Sequence, residues 1–314
     1  MSLLEEGDSP EAAVRPLSGG PATVRKAEGE VEPFGPGSLL WDQFGLYTSA
    51  LAGNSVFILQ AMHPAIGTVV DRLSSFRTDP VGRARRSFAS VQTWIYGGET
   101  AIEEGRRLRE MHKPLSAVDE HGVSHHALSA EPWAWVHLTG FYAAVTAPRY
   151  FSTEPMTPQK EQQIFDEFMR LGRILRVPER MLPATIPDYW RYFDAMVEDT
   201  LVPHKVALEV LDAMDKVPPG IPAQLRPALA PMMAVVGNLG RFITTGTLPP
   251  AARDKLGLTW TSRDDRNLRI IGQTIARAPP LLPERLRYMP IAYRAREAAR
   301  AKERLDHALA TRPL

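Results

Sequence analysis

The run QFGLYTSALAGNSVFILQAMHPAIGTVV, Gln43–Val70, is 28 residues long and contains no Asp, Glu, Lys or Arg. From Phe44 to Met62 it lacks the alternation of a half-buried strand, and His63-Pro64 ends it, because proline disfavours helical geometry at the residue before it. Its length would span a bilayer. Gly53, Asn54, Ser55, Gln60, His63 and Pro64 interrupt it, however, and most of these need polar partners in lipid. The reading is a buried helix in a large soluble domain. A cytoplasmic protein without an integral membrane span is expected, with peripheral membrane contact left open.

Working outward, the flanks read as helices with prolines at their joints. Asp79-Pro80 pairs an N-cap with Pro at the first helical position, opening a segment through Phe88, Val91 and Ile95 to the Gly97-Gly98 break. Thr100–His112 is a charged helix ended by Lys113-Pro114. Ser116–Ala130 is polar, carries Gly122, His121, His125 and His126, and reads as loop or a short irregular hairpin. Glu131-Pro132 launches Trp133–Val145, and Thr157-Pro158 caps a helix through Leu175. Ile186-Pro187-Asp188 opens another over Tyr189, Phe193 and Met196. Val202–Leu211, Pro222–Gly240 and Glu284–Leu309, kinked at Pro290, complete the set. The expected fold class is all-α: a single bundle-like domain, 31–314, of about nine to eleven helices. Residues 1–30, rich in Glu, Gly, Pro and Ser, read as a flexible lead-in.

A chain of 314 residues can bury roughly 75% of its unfolded surface, enough to enclose a pocket without staples. Its 37 Lys+Arg against 36 Asp+Glu leave a net charge of +1, so no basic excess exists for a nucleic-acid partner. The absence of Cys excludes disulfides, zinc–thiolate sites, Cys-held clusters, thiolate-ligated haem and a Cys nucleophile. There is no phosphate-cradling Gly-rich loop, Gly-x-Ser-x-Gly frame or His-Glu-x-x-His.

The candidate chemistry therefore rests on the eight His. His137 lies four residues from Trp133 and from Phe141, on an aromatic helix face. A buried imidazole there is either a core residue bonded to a backbone carbonyl or a metal or haem ligand. His63 borders the long apolar run and is the reserve. Arg109, His112 and Lys113 form a cationic edge near a helix C-terminus. It either complements the helix dipole or serves an anionic cofactor or oxyanion.

Several stretches, in this order and spacing, resemble one family: Leu59-Gln60-Ala61-Met62-His63-Pro64, Phe76-Arg77-Thr78-Asp79-Pro80, Arg83 with Arg86, Tyr96-Gly97, Arg109-Glu110-Met111-His112 and Trp135-Val136-His137. Leu182-Pro183-Ala184-Thr185, Asp188-Tyr189 and Pro283–Tyr293 continue the resemblance. The family is the haem-dependent oxygenases that group the fungal prenyl-chain-cleaving enzyme of mycophenolic acid biosynthesis with bacterial latex-clearing rubber oxygenases. The likeness runs from about Trp41 to about Arg296. It implies an all-helical fold enclosing a b-type haem, with His137, in the Trp135-x-His137 motif, as iron ligand. It places Arg109, His112 and Lys113 on the distal side as catalytic groups. There His112 stands where the rubber enzymes carry Lys, and Lys113 where they carry Thr, which argues against rubber as substrate. Arg83, Arg86 and Arg106 become candidates for the haem propionates. The implied function is an oxygenase or peroxidase-like oxidoreductase using dioxygen or peroxide on an apolar small molecule. A haem sensor without turnover and a helical interaction domain without cofactor are the competing classes.

Overall fold

Proline next to a capping side chain opens several of the helices. Asp79 accepts from the Gly82 N–H at 2.9 Å, and Thr157 Oγ1 from the Lys160 N–H at 3.3 Å; each cap is followed by Pro at the start of the helix. The computed structural model describes residues 32–311, and the lead-in expected at 1–30 lies outside them. Among the described residues, eleven α-helices of nine or more residues dominate. They are α1 Gly53–Ala61, α2 Pro64–Leu73, α3 Pro80–Tyr96, α4 Thr100–His112, α5 Ala130–Thr146 and α6 Pro158–Ile174. The rest are α7 Ile186–Ala195, α8 Lys205–Ala213, α9 Arg226–Thr247, α10 Ser262–Arg277 and α11 Pro290–Ala310. The polar His-rich stretch folds as an antiparallel hairpin, β1 Ser116–Val118 with β2 Ser124–His126. From Pro33 onward the contacts group into one unit.

Several bounds differ from the sequence reading: the helix expected at Pro222–Gly240 spans Arg226–Thr247, the one expected from Val202 starts at Lys205, and Ser262–Arg277 is a helix the sequence reading did not include. Two further differences have a local cause. The helix expected from Phe44 is broken: Leu46 is extended and forms an antiparallel bridge with Tyr288. A six-residue 3-10 turn, Tyr47–Ala52, then precedes α1. Gly45 allows this close approach. Its N–H donates to the Tyr96 hydroxyl at 2.7 Å, and a Cβ there would collide with Ala292. At the other end, Pro290 starts a new helix rather than kinking one, because Glu284–Arg287 is a separate short turn and Tyr288 and Met289 are extended.

α5 is apolar around most of its circumference and is accordingly buried on nearly all sides. α1 and α6 pack against it, and α7 adds Tyr189 and Phe193, with Phe141 edge-on to Tyr189 at 4.5 Å. The indole of Trp135 donates to the Leu59 carbonyl at 3.1 Å, fixing α5 to α1.

A buried carboxylate ties a distant segment to this core. Glu167 on α6 accepts from the backbone N–H groups of Leu39 (2.9 Å) and Leu40 (2.8 Å), the first turn of a short helix. Glu167→Ala leaves both donors without their charged acceptor and should cost about 2 kcal/mol. Glu167→Gln, which keeps one acceptor oxygen, should cost less. Urea unfolding midpoints of the two variants test the order.

Candidate functional site

The aromatic face of α5 carries His137, whose side chain is buried against α6. A carbonyl oxygen can only accept, so the 2.9 Å contact means that His137 Nε2 carries the proton and donates to Phe168 O. Gly172, one turn further along α6, closes the same edge: a Cβ there would lie 2.9 Å from Nε2 and 2.8 Å from Leu182 Cδ2. Burial lowers the imidazole pKa to about 4, against the smaller opposing effect of the Phe168 bond. At neutral pH the ring is therefore uncharged, as a metal ligand must be.

α4 meets α5 beside it. The His112 ring sits edge-on to Trp133 with centroids 5.4 Å apart, and the Trp133 indole donates to Leu175 O at 3.2 Å. His112 Nδ1 donates to Leu108 O at 2.8 Å, so the lone pair of the neutral ring lies on Nε2. Burial depresses the His112 pKa, and the Arg107 charge adds to the effect. One turn back, Arg109 holds a buried Nη1 with no hydrogen-bond partner. An orphaned buried guanidinium nitrogen is costly and points to an acceptor that completes it.

The remaining cations are dispersed. Lys113 is exposed and paired with Glu110 at 2.7 Å, and Arg106 is exposed on α4. Arg86 is held at the surface by Asp79 (2.9 Å) and Ser75 (3.2 Å). Arg83 differs: its guanidinium lies 4.2 Å over the Phe57 ring and bonds Ser74 at 3.0 Å. Burial first, then the Arg86 charge, lowers its pKa. Leu59 is fully buried, and Trp94 has a buried indole N–H without partner.

The geometry adds one arrangement that the sequence reading did not find. His63 Nδ1 accepts from the Ala65 N–H at 3.2 Å and caps α2, which puts the proton of the neutral ring on Nε2. That atom is buried without a hydrogen-bond partner, 3.7 Å from Glu131 Oε1, and the Tyr192 hydroxyl is likewise buried and unpartnered. With its lone pair used in the cap, His63 acts as a donor rather than as an iron ligand. The His-Pro pair was itself the signal, being an N-cap followed by Pro at the first helical position.

The donor set thus suits a haem in three respects: a neutral buried imidazole, a second imidazole with a free Nε2, and an orphaned arginine nitrogen. It fails in one. The His137 Nε2 edge is occupied by Phe168 O and backed by Gly172, so an iron–Nε2 bond requires that hydrogen bond to open. Among the described residues no group of three or more His, Asp or Glu is placed to hold a metal ion.

Comparison with known proteins gives the same family as the motifs. Residues 41–277 match the family described as "ER-bound oxygenase mpaB/B'/Rubber oxygenase, catalytic domain". Two relatives, the uncharacterized proteins Mb2261 of Mycobacterium bovis and Rv2237 of Mycobacterium tuberculosis, are each 24% identical over 239 residues. The match covers 73% of this chain and 88% of theirs. No solved structure matches. With well over half its length matched, including α4, α5 with its Trp135-x-His137 motif, and α6, the chain belongs to the mpaB and rubber oxygenase catalytic-domain family.

Proposed function

We propose that the chain is a haem b-dependent oxidoreductase, an oxygenase or peroxidase-like enzyme that uses dioxygen or peroxide on an apolar organic molecule. The reading is supported by the family match across α4–α6 and by the neutral, buried His137, which the Trp135-x-His137 resemblance implies as iron ligand. Haem, when bound, supplies the redox chemistry. His137 would hold it, supported by Trp135, and of the three propionate candidates Arg83 is the one whose guanidinium is desolvated.

The chain's own part in the chemistry falls to α4. Arg109 keeps its charge and offers its unpaired Nη1 to an anionic oxygen. His112 holds its Nδ1 proton on Leu108 O, which leaves Nε2 free to accept and return a proton, while burial keeps the ring neutral at rest. Lys113, exposed and paired with Glu110, would add only its charge at the same helix end. The aliphatic and aromatic character of the neighbouring α1 and α5 favours an alkene, prenyl, phenolic or polyketide-like substrate over a sugar or nucleotide. The whole chain from residue 31 is proposed to act as one domain.

A second reading has its own support. The His137–Phe168 bond is the geometry of a core histidine bonded to a backbone carbonyl, which suits a cofactor-free helical domain. Substrate-dependent consumption of dioxygen or peroxide by haem-loaded protein separates an enzyme from a sensor. His112→Ala should retain haem and lower turnover by ~10²-fold or more, the usual effect of losing an acid–base group. Equal turnover in wild type and His112→Ala would remove the proton-transfer role.

A further inference from the structure

The outer face of α9 is apolar and uncovered. From residue 227 to residue 240 the chain carries no charge, yet Met232 (55%), Val235 (71%) and Val236 (58%) are exposed, as are Leu225 and Leu239. On a helical wheel these side chains fall on one side of α9. Gly237 lies on the other, where its Cα faces the backbone of Met214 and Asp215. The exposed side is continuous with α10: Leu239 and Phe242 of α9 line one depression with Asn267, Ile270 and Ile271.

α10 supplies the charge that identifies the occupant. Ile270 is 66% exposed, and Arg266, Arg263 and Arg277 stand four residues before, seven before and seven after it, on the same stripe. All three arginines are exposed, and none makes a hydrogen bond or ion pair among the described residues. The helix's acids point elsewhere. Asp264 is taken up by the Thr261 cap, and Asp265 by Arg269 and the Tyr150 hydroxyl. An apolar face rimmed by unneutralised arginines complements anionic headgroups above an acyl layer. A symmetric second copy fits less well, since two-fold docking would bring the same cations together. No helix among the described residues is long and apolar enough to cross a membrane, so the contact is peripheral.

We propose that the α9–α10 face is a membrane-docking surface for anionic lipid, seating Met232, Val235, Val236, Leu239 and Ile270 at the headgroup–acyl boundary. The proposal does not depend on haem binding. The test is flotation of the full chain with phosphatidylcholine vesicles, with and without phosphatidylglycerol. Roughly tenfold or stronger partitioning to the anionic vesicles is expected, weakening as salt rises. Val235→Asp/Leu239→Asp should abolish it, and Arg266→Glu/Arg277→Glu should remove the preference for anionic lipid. All four side chains sit at or near the surface, and an unchanged far-UV spectrum checks that the variants fold. Absence of flotation, or flotation that both variants retain, overturns the proposal. So does a doubled solution mass that Val235→Asp/Leu239→Asp returns to one copy without any vesicle binding, which would assign the face to self-association.

Discussion

Unfolding free energy should fall by about 3 kcal/mol as pH is lowered from about 6.5 to about 4, through His137 alone. The native ring titrates at about 4 against an ordinary value of 6.5. Below 6.5 the unfolded chain therefore binds a proton that the folded chain excludes, and at ~1.4 kcal/mol per pH unit this difference accumulates until the native ring protonates. Stability from this source is complete above 6.5 and gone below about 4. His63 and His112, both depressed mainly by burial, act in the same direction. Urea unfolding from pH 7 to 4.5 measures the slope. His137→Gln, whose amide can still donate to Phe168 O but does not titrate, should flatten it. An unchanged slope in that variant would assign the acid sensitivity to other groups.

His137→Ala should be the most damaging single substitution at the site. It removes a buried ring packed against Phe168 with centroids 5.8 Å apart, together with the bond to Phe168 O. Losing a large buried side chain plus a hydrogen bond costs about 3 kcal/mol or more at neutral pH. Gly172→Ala probes the same contact from the other side, because its Cβ must displace either the His137 ring or Leu182. Both substitutions should lower the urea midpoint, whereas Lys113→Ala, at an exposed pair, should leave it nearly unchanged.

The parts of this architecture that local chemistry dictates were legible in the residues. Asp79-Pro80 and Thr157-Pro158 mark helix starts by the cap they form, and Thr100–His112 has the bounds its flanking Gly and Pro residues require. The aromatic surroundings of His137 follow from four-residue spacing to Trp133 and Phe141. What was not legible depends on residues far along the chain. The break at Leu46 exists because Tyr288 bridges to it. The proton on His137 Nε2 is placed by a carbonyl 31 residues away. Glu167, which reads as one charge among several on α6, is buried because Leu39 and Leu40 need its oxygens. The two readings of His137 that spacing left open, core residue and iron ligand, are separated by one hydrogen bond.

Titration of haem b into the purified wild-type chain and into folded His137→Gln, followed at the Soret band, tests the central claim most directly. Iron ligation by His137 predicts saturation at one haem per wild-type chain, a pyridine-haemochrome spectrum of b type, and loss or marked change of the Soret band in the variant. An identical Soret band in both proteins, or no stoichiometric binding by the wild type, would contradict it and leave His137 as a core residue bonded to Phe168.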